Sequence, residues 1–190
     1  MNTLVIYTHP NHQSFHKVLE GSADNPRIDE VRTLDLYEEK FDPVLVFHEQ
    51  KRRRDMHADP DLAKYREQIV WADKIVFVYP IWWGRPPAML MGYIDKMFAS
   101  GFAYREKGGL LPEGLLKGKS VVCISLMKGP AHYPLFWLNN AHKALMKKAL
   151  FHYVGIRNVT FFEFGGMESK SGRQKEKLDK IYRYFQTVGR

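Results

Sequence analysis

Short apolar runs alternate along the chain with longer segments whose apolar residues recur at helical spacing. Four of these runs predict strands buried on both faces, because a strand covered by helices on both sides is apolar at nearly every position. Another segment alternates apolar and polar residues and predicts a further strand. In chain order, the five predicted strands are residues 4–7, 30–37, 74–79, 121–124 and 159–164.

Five segments outside these strands predict helices. Proline or serine stands near the start of the first three helices, where both residues favour helix initiation. The predicted helices are residues 14–20, 59–72, 86–98, 138–151 and 172–188. In the fourth helix, the residues that share the predicted apolar face are Ala141, Ala144, Leu145 and Ala149.

This alternation of strands and helices predicts an α/β fold, in which a parallel sheet is covered by helices on both faces. Five strands in this class favour the order 2-1-3-4-5. No repeat, low-complexity tract or linker divides the sequence, so we expect one domain over residues 1–190. Residues 38–58 form a long connection that mixes apolar and basic residues, and long connections in compact domains tend to be functional.

The net charge of +8 can attract nucleic acid, an anionic membrane surface or a phosphate-bearing ligand. The densest basic run, residues 51–54, is either a solvated surface segment or a contact to a nucleotide phosphate or a partner. Aromatic residues are not interleaved with this run, as they are in segments that bind single-stranded nucleic acid. We therefore expect no nucleic-acid partner.

A single cysteine, Cys123, excludes an intrachain disulfide framework and a cysteine-based metal site, and it favours a reducing compartment. The apolar run at the start is shorter than the roughly seven to fifteen residues of a secretory signal. No apolar stretch approaches the ~20 residues of a membrane span. We expect a soluble, cytoplasmic protein without a bound metal.

Ligands in such a sheet bind at the carboxyl ends of the strands, beside the point where the strand order reverses. The loops at that point are residues 8–15, 80–87 and 126–133. The first loop lacks the glycine patterns of the Rossmann and P-loop motifs, but it is rich in donors and leads into a predicted helix N-terminus. That combination predicts an anion-binding site, and the alternative is a polar loop in which Ser14 caps the helix. The donors are His9, His12, Gln13, Ser14 and His16.

The second loop places Trp82 and Trp83 at the exposed end of a buried strand. Two tryptophans there suit a planar conjugated ligand, although a plug over the core or a dimer contact is the alternative. The third loop contains Lys128, His132 and Tyr133. Tyr133 can donate a hydrogen bond to a carbonyl-bearing substrate, whereas a histidine such as His132 is more often a surface residue.

Together these loops resemble the NAD(P)H:quinone oxidoreductases of the DT-diaphorase type, which have a flavodoxin-like fold. This group includes bacterial modulator-of-drug-activity proteins and ancillary subunits of glutathione-gated potassium-efflux systems. The most specific stretch is residues 79–104, in which the strand, the aromatic loop, the double proline and a Gly-Phe-Ala-Tyr sequence are all present. The opening loop is similar to the family's phosphate-binding loop, with His16 where many members have asparagine. Residues 151–155 are similar to the turn that precedes the fifth strand in this family.

The resemblance implies a bound flavin, FMN or alternatively FAD, that is reduced by NAD(P)H and passes two electrons to a quinone-like acceptor. It implies a homodimer with the substrate pocket at the subunit interface. The residues implied to hold the flavin phosphate are His9, Ser14, Phe15 and His16. Those implied to line the isoalloxazine ring are Pro80, Ile81, Trp82 and Trp83, with Gly129 in the neighbouring loop.

The loop after the fourth strand departs from the family, whose members commonly have a Thr-Thr-Gly-Gly type sequence there. This chain has Ser-Leu-Met-Lys-Gly-Pro over residues 125–130. Tyr133 matches the family tyrosine, but Asn139 stands near the position where some members have a relay histidine. We therefore expect Tyr133 and Lys128 to take part in the reaction, with Lys128 placing positive charge beside the reduced flavin; a solvated lysine is the alternative.

Two other functions compete with this enzyme. A regulatory subunit of a potassium-efflux system keeps the same flavin fold, and the basic residues 51–54 suit an acidic membrane-protein partner. An electron-carrier flavodoxin is disfavoured, because flavodoxins are usually acidic and this chain has a net charge of +8.

Overall fold

The computed structural model describes residues 1–10, 30–49, 52–109, 112–130 and 132–166, together with residues 176, 179–181, 183 and 184. Five parallel strands form the main sheet: β1 (Asn2–Tyr7), β2 (Glu30–Asp35), β3 (Lys74–Pro80), β6 (Ser120–Leu126) and β7 (Asn158–Phe164). Their order is β2-β1-β3-β6-β7, which confirms the predicted order 2-1-3-4-5. Two short strands, β4 (Tyr104–Arg105) and β5 (Glu113–Gly114), form a separate antiparallel pair that the sequence did not predict.

The helices lie between the strands, as the sequence predicts. They are α1 (Ala63–Trp71), α2 (Ala88–Met97), α3 (Tyr133–Trp137) and α4 (Ala141–Ala144), and α4 continues as a π-helix over Leu145–Phe151. Short 3₁₀-helices cover Arg53–Ala58 and Pro60–Leu62. The predicted helix 14–20 lies outside the described residues, and within 172–188 the described residues are helical. None of the helices within the described residues has the length and the apolar composition that a bilayer crossing requires.

All seven residues of β3 are buried, because this strand lies between β1 and β6 and has helices on both faces. One apolar layer contains Ile75 and Phe77 and packs against α1, α2 and the π-helix. The opposite layer contains Val76 and Val78 and includes Ile181 of the last predicted helix. The continuous apolar run that predicted this strand therefore reflects burial on both faces.

The predicted fourth helix differs from the structure in its start and in its buried face. Asn139 and Asn140 have left-handed φ angles of 48° and 53°, so the helix begins at Ala141 rather than at residue 138. Of the predicted face, the three alanines are exposed and Leu145 is half-buried. The buried residues are instead His142, Met146 and Phe151.

The π-helical turn explains the position of Phe151 on the buried face. A π-helix brings residues five positions apart to the same side, whereas an α-helix does so for residues three or four apart. Met146 and Phe151 are five positions apart, and both are fully buried. Larger side chains also gain more from burial than alanine does, which favours this face over the alanine face.

The long connection after β2 crosses α2 instead of forming a free loop. The Pro43 carbonyl oxygen lies so close to Gly92 that a Cβ built there would be 2.1 Å from it. Lys96 of α2 donates hydrogen bonds to the Asp42 carbonyl at 2.6 Å and to its carboxylate at 3.2 Å. Gly92 is thus required by a backbone contact, and Lys96 fixes the crossing point.

Lys74, the first residue of β3, is a buried cation at the amino end of the sheet. Its Nζ lies 5.5 Å from the centre of the Tyr184 ring. Burial lowers the pKa of Lys74 to about 8, whereas an unfolded lysine titrates near ~10.4. At pH 7 the folded chain therefore carries the cost of a buried charge, on the order of 3 kcal/mol. This cost declines as the pH rises from about 8 towards ~10.4, because the folded chain releases the proton first.

Lys74→Met is expected to raise the free energy of unfolding at pH 7 by about 2–3 kcal/mol, since it removes the buried charge and keeps the side-chain length. The gain should shrink at pH 9.5. Urea denaturation of both proteins at the two pH values measures it, with Lys147→Met as a control at an exposed position. A gain of equal size at both pH values would show that the buried charge is not its cause.

Candidate active site

The strand order reverses between β1 and β3, and backbone hydrogen bonds hold the chain together at the carboxyl ends of these strands. The Thr8 amide and hydroxyl both donate to the Val78 carbonyl, at 2.9 and 3.3 Å. The Ile81 amide donates to the Leu126 carbonyl at 2.8 Å. The segments that follow β1, β3 and β6 therefore meet at one edge of the sheet, as the strand order requires.

Only the beginning of the predicted phosphate loop lies within the described residues. His9 is half-buried, and its ring centre is 6.3 Å from that of Tyr7. Ser14, Phe15 and His16 lie outside the described residues. The phosphate site thus stays a prediction, and the structure adds to it the position of His9 at the end of β1.

The loop after β3 is a tight turn in which two hydrogen bonds join Trp82 and Arg85. The Trp82 amide donates to the Arg85 carbonyl at 3.0 Å, and the Arg85 amide donates back at 3.1 Å. Trp83 and Gly84 have φ angles of 52° and 70°, the left-handed pair of a type I′ turn. A Cβ at Gly84 would lie 2.5 Å from Cδ1 of Leu138, so Gly84 also permits close packing against the segment after α3.

This turn exposes its tryptophans while its preceding residues are covered. Trp83 is 96% exposed and Trp82 is 45% exposed. Pro80, at the end of β3, is buried and Ile81 is half-buried. A nearly fully exposed tryptophan in a left-handed conformation gains nothing from packing within the chain, which points to a ligand or partner as its contact.

A second group of exposed apolar side chains lies on α3, beside the turn. These side chains are Tyr133, Leu135, Phe136 and Trp137, and between 46% and 73% of each is exposed. The contact between Gly84 and Leu138 joins the turn to the end of this helix. Turn and helix together present what we call the aromatic surface, defined by Trp82, Trp83, Phe136 and Trp137.

The loop after β6 brings the predicted Lys128, Gly129 and Tyr133 to the same edge of the sheet. Lys128 and Gly129 are exposed, and the Gly129 carbonyl accepts a hydrogen bond from Gly166 at 3.0 Å. The Tyr133 amide donates to the Pro130 carbonyl at 3.0 Å, which starts α3. A Cβ at Gly129 would meet no atom within 4 Å, so open space adjoins this residue.

Sequence analysis missed a buried polar group beneath these loops. His142 is almost fully buried, and its Nε2 lies 3.5 Å from Oε1 of Glu163, whose other oxygen pairs with Lys143. Burial lowers the pKa of His142, although the Glu163 carboxylate acts in the opposite direction. The sequence contained one signal for this group, namely Glu163 within the apolar run of β7. A carboxylate in a buried strand requires a partner, so its presence predicts a basic or polar residue beside it.

Tyr79 extends this buried group towards the active-site edge. It pairs with Ser125 in the sheet, and Ser125 pairs with Glu163, so Tyr79 and Glu163 flank the same residue. Burial raises the pKa of Tyr79, and contact with Cys123 and the charge of Glu163 add to this effect. The phenol therefore stays protonated directly before the Pro80 turn.

Comparison with protein families covers nearly the whole chain. The profile of a family described as having a flavodoxin-like fold matches residues 1–188. The chain belongs to this flavodoxin-like family. A protein of Streptococcus mutans, Smu.1420, has the same fold: its crystal structure superposes with a TM-score of 0.88 at 36% sequence identity, and the match covers 99% of this chain and 100% of that one.

Several relatives in this flavodoxin-like family have names that indicate a function. An uncharacterised NAD(P)H oxidoreductase of Haemophilus influenzae is 34% identical over 175 residues, which are 87% of this chain and 84% of that protein. An FMN-dependent NADH:quinone oxidoreductase of Caldicellulosiruptor saccharolyticus is 38% identical over 57% of this chain and 55% of its own length. A glutathione-regulated potassium-efflux ancillary protein of an Enterobacter species is 33% identical over 70% of this chain and 64% of its own length. The family resemblance noted from the sequence is thereby confirmed.

Two substitutions of Trp83 test whether its backbone is strained. Both Trp83→Gly and Trp83→Ala remove the exposed indole, but only glycine adopts a φ of 52° without steric cost. The glycine variant is expected to be about 1 kcal/mol more stable than the alanine variant. Urea denaturation of the flavin-free proteins measures the difference, and equal stability of the two variants would rule out strain at this position.

Proposed function

We propose that this chain is a flavin-dependent NAD(P)H oxidoreductase of the quinone reductase type, with FMN as its cofactor, that acts as one domain over residues 1–190. The observation that carries the proposal is the exposed Trp82–Trp83 pair at the reversal point of a flavodoxin-like sheet. A planar conjugated ring is the ligand that such a pair suits. The names of the relatives from Haemophilus and Caldicellulosiruptor support the reaction and the choice of FMN.

The residues at this edge fit a flavin. The turn offers aromatic surface, and a Cβ built at Gly129 would meet no atom within 4 Å. We assign the phosphate to His9, Ser14, Phe15 and His16, and the ring to Pro80, Ile81, Trp82, Trp83 and Gly129. When bound, a flavin supplies two-electron chemistry, taking a hydride from NAD(P)H and giving it to an acceptor.

The chain's own residues contribute position and charge in this proposal. Trp82 and Trp83 cover the ring and exclude water from it, which strengthens electrostatic interactions in the site. Lys128 holds positive charge at the ring edge, where it favours the reduced, anionic form. The Tyr133 hydroxyl donates a hydrogen bond to the carbonyl oxygen of the acceptor, on which negative charge develops.

The aromatic surface also supports a homodimer with its pockets at the interface. Phe136 and Trp137 are 70% and 73% exposed, and contiguous exposed apolar residues of this size mark interaction surfaces. Leu138, directly after their helix, packs against Gly84 of the turn, so a second copy placed on them would enclose the ring and the acceptor. In this assembly each site is completed by both subunits.

A regulatory role is the second candidate, and the Enterobacter relative is the observation that favours it. Arg52 and Arg54 are both exposed and are available to an acidic partner. The two roles are compatible, because the residues proposed to bind a partner differ from those proposed to hold the flavin and the acceptor.

One preparation tests the proposed enzyme. The purified protein, reconstituted with FMN, is expected to absorb near 450 nm, to sediment as two chains and to oxidise NAD(P)H when menadione is added. A protein that binds neither FMN nor FAD contradicts the proposal outright. A flavin-loaded protein that reduces no quinone leaves the regulatory role as its function, and sedimentation as a single chain overturns the dimer.

Lys128→Gln tests the role of the lysine charge. Because the change removes a cation from beside the reduced ring, the midpoint potential of the bound flavin is expected to become more negative by roughly 20–40 mV. Potentiometric titration against a dye of known potential measures the shift. Arg157→Gln, at the amino end of β7, removes the same charge at a distance and serves as the control. An unmoved potential in Lys128→Gln shows that this lysine does not stabilise the reduced flavin.

A further inference from the structure

We propose that Glu163 is a positioning residue for the step that reduces the acceptor: its carboxylate holds the start of α4 on β7, and it thereby holds Tyr133 of the neighbouring α3 where the acceptor binds. The inference rests on the proposed function, in which Tyr133 donates a hydrogen bond to the acceptor. It adds a residue that neither the phosphate assignment nor the ring assignment uses.

Glu163 lies one residue before the carboxyl end of β7, at the edge of the sheet where the candidate site is. Phe162 and Phe164 beside it belong to the apolar layer on the side of the last predicted helix. Side chains alternate along a strand, so Glu163 points to the opposite layer, against which the π-helix packs. The carboxylate therefore lies on the side of the sheet that α4 covers.

The carboxylate contacts two side chains in the first turn of α4. Its Oε1 lies 3.5 Å from Nε2 of His142, and its Oε2 pairs with Nζ of Lys143. The His142 ring is buried and packs edge-on against Phe161, with 6.0 Å between the ring centres. Both carboxylate oxygens thus attach one helical turn to one strand.

A hydrogen-bonded corner joins this turn of α4 to α3. Asn140 has a left-handed φ of 53°, and its amide donates to the Pro134 carbonyl at 2.8 Å. The next amide, of Ala141, donates to the Leu138 carbonyl at 2.8 Å. Pro134 directly follows Tyr133, so the corner couples the position of Tyr133 to that of α4.

A role in positioning accounts for this cluster better than a contribution to stability does. Burying a carboxylate with a cation has a desolvation cost, and apolar residues of similar volume often stabilise a fold equally well. Four of the five side chains of α3 are exposed, so packing alone attaches this helix weakly. A hydrogen-bond donor accelerates a reaction only when it is held at the reacting group, which gives the attachment through Glu163 a function.

Stopped-flow kinetics of the FMN-loaded enzyme separates the two half-reactions. Overall, NAD(P)H gives a hydride and the solvent a proton, so that menadione becomes menadiol while NAD(P)⁺ forms. Glu163→Gln is expected to slow reoxidation by menadione about fivefold and to leave reduction by NAD(P)H unchanged, because only reoxidation uses Tyr133. Glu113→Gln removes another carboxylate that pairs with several cations and is the matched control, which should change neither rate. Equal slowing of both half-reactions in Glu163→Gln would overturn the inference.

A double-mutant cycle tests whether Glu163 acts through Tyr133. Tyr133→Phe removes the hydroxyl and is expected to slow reoxidation by menadione about tenfold. Adding Glu163→Gln should slow it no further, since no hydroxyl is left to position. Effects that multiply, to about fiftyfold in the double variant, would show that the two residues act independently and would overturn the inference.

Lys143 provides a second pair of variants outside the sheet, in case Glu163→Gln does not fold. Its side chain is more exposed than that of Glu163, and Lys143→Met breaks the ion pair from that side. Lys143→Met is expected to slow reoxidation selectively, whereas Lys143→Arg keeps the charge and should retain the wild-type rate. Reoxidation of Lys143→Met at the wild-type rate contradicts the proposed attachment.

Amide hydrogen exchange of the flavin-free protein measures the attachment without any reaction. The Asn140 amide, which is bonded to the Pro134 carbonyl, is expected to exchange about tenfold faster in Glu163→Gln or Lys143→Met than in the wild type. Its exchange in Glu113→Gln should match the wild type. Unchanged exchange in the first two variants would show that the carboxylate does not hold the corner.

Failure of this inference is distinguishable from failure of the proposed function. A flavin-loaded wild-type protein that no quinone reoxidises overturns the proposed enzyme and this inference with it. Reoxidation that is equally fast in the wild type, Glu163→Gln and Lys143→Met overturns the role of Glu163 alone.

Discussion

Backbone pairing of β3 with β1 on one side and β6 on the other is the interaction on which the rest of the molecule depends. The strand is buried at every position, and its hydrogen bonds fix the register of both neighbours. Pairing continues past the end of β3, since the Ile81 amide still donates to Leu126. The loops after three strands are therefore brought together by main-chain bonds, and their side chains are left available for a ligand.

The turn after β3 shows how this rigid frame accommodates an unfavourable conformation. Trp83 adopts a left-handed backbone and exposes nearly all of its indole, which costs on the order of 1 kcal/mol and gains no internal packing. Two hydrogen bonds between Trp82 and Arg85 and the packing of Gly84 on Leu138 hold the turn in this shape. The two hydrogen bonds that hold Trp83 in this conformation also fix the backbone of Arg85.

Residue patterns within a single element predicted the helices and strands well. Contacts between elements that are distant in sequence were not predicted. The helix predicted over residues 59–72 is present as α1 and the 3₁₀-helix before it, and the strand order followed from the alternation of elements. The predicted alanine face of the fourth helix was wrong: His142 and Met146 form a different face, and the π-helical turn brings Phe151 to the same side as Met146. A spacing rule that assumes 3.6 residues per turn has no means of detecting that change.

The location of the candidate site was predicted from the strand order, but the buried residues that lie near it were not predicted. The reversal of strand order located the loops that contain His9, Trp82 and Lys128 without any glycine motif. His142 and Glu163 are far apart in sequence, and neither has a local pattern that announces their contact. The contact of Pro43 with Gly92 could likewise not be predicted from the sequence, since a glycine in a helix is compatible with many kinds of close approach.

The distribution of charge matters more at this site than the net charge of +8. Screening in physiological salt confines the influence of an exposed charge to about 8 Å, so cations paired with Glu113 or Asp42 contribute little at the loops after β1, β3 and β6. Any electrostatic contribution to ligand binding at these loops therefore comes from charges within the loops themselves, and the net charge of +8 does not measure it.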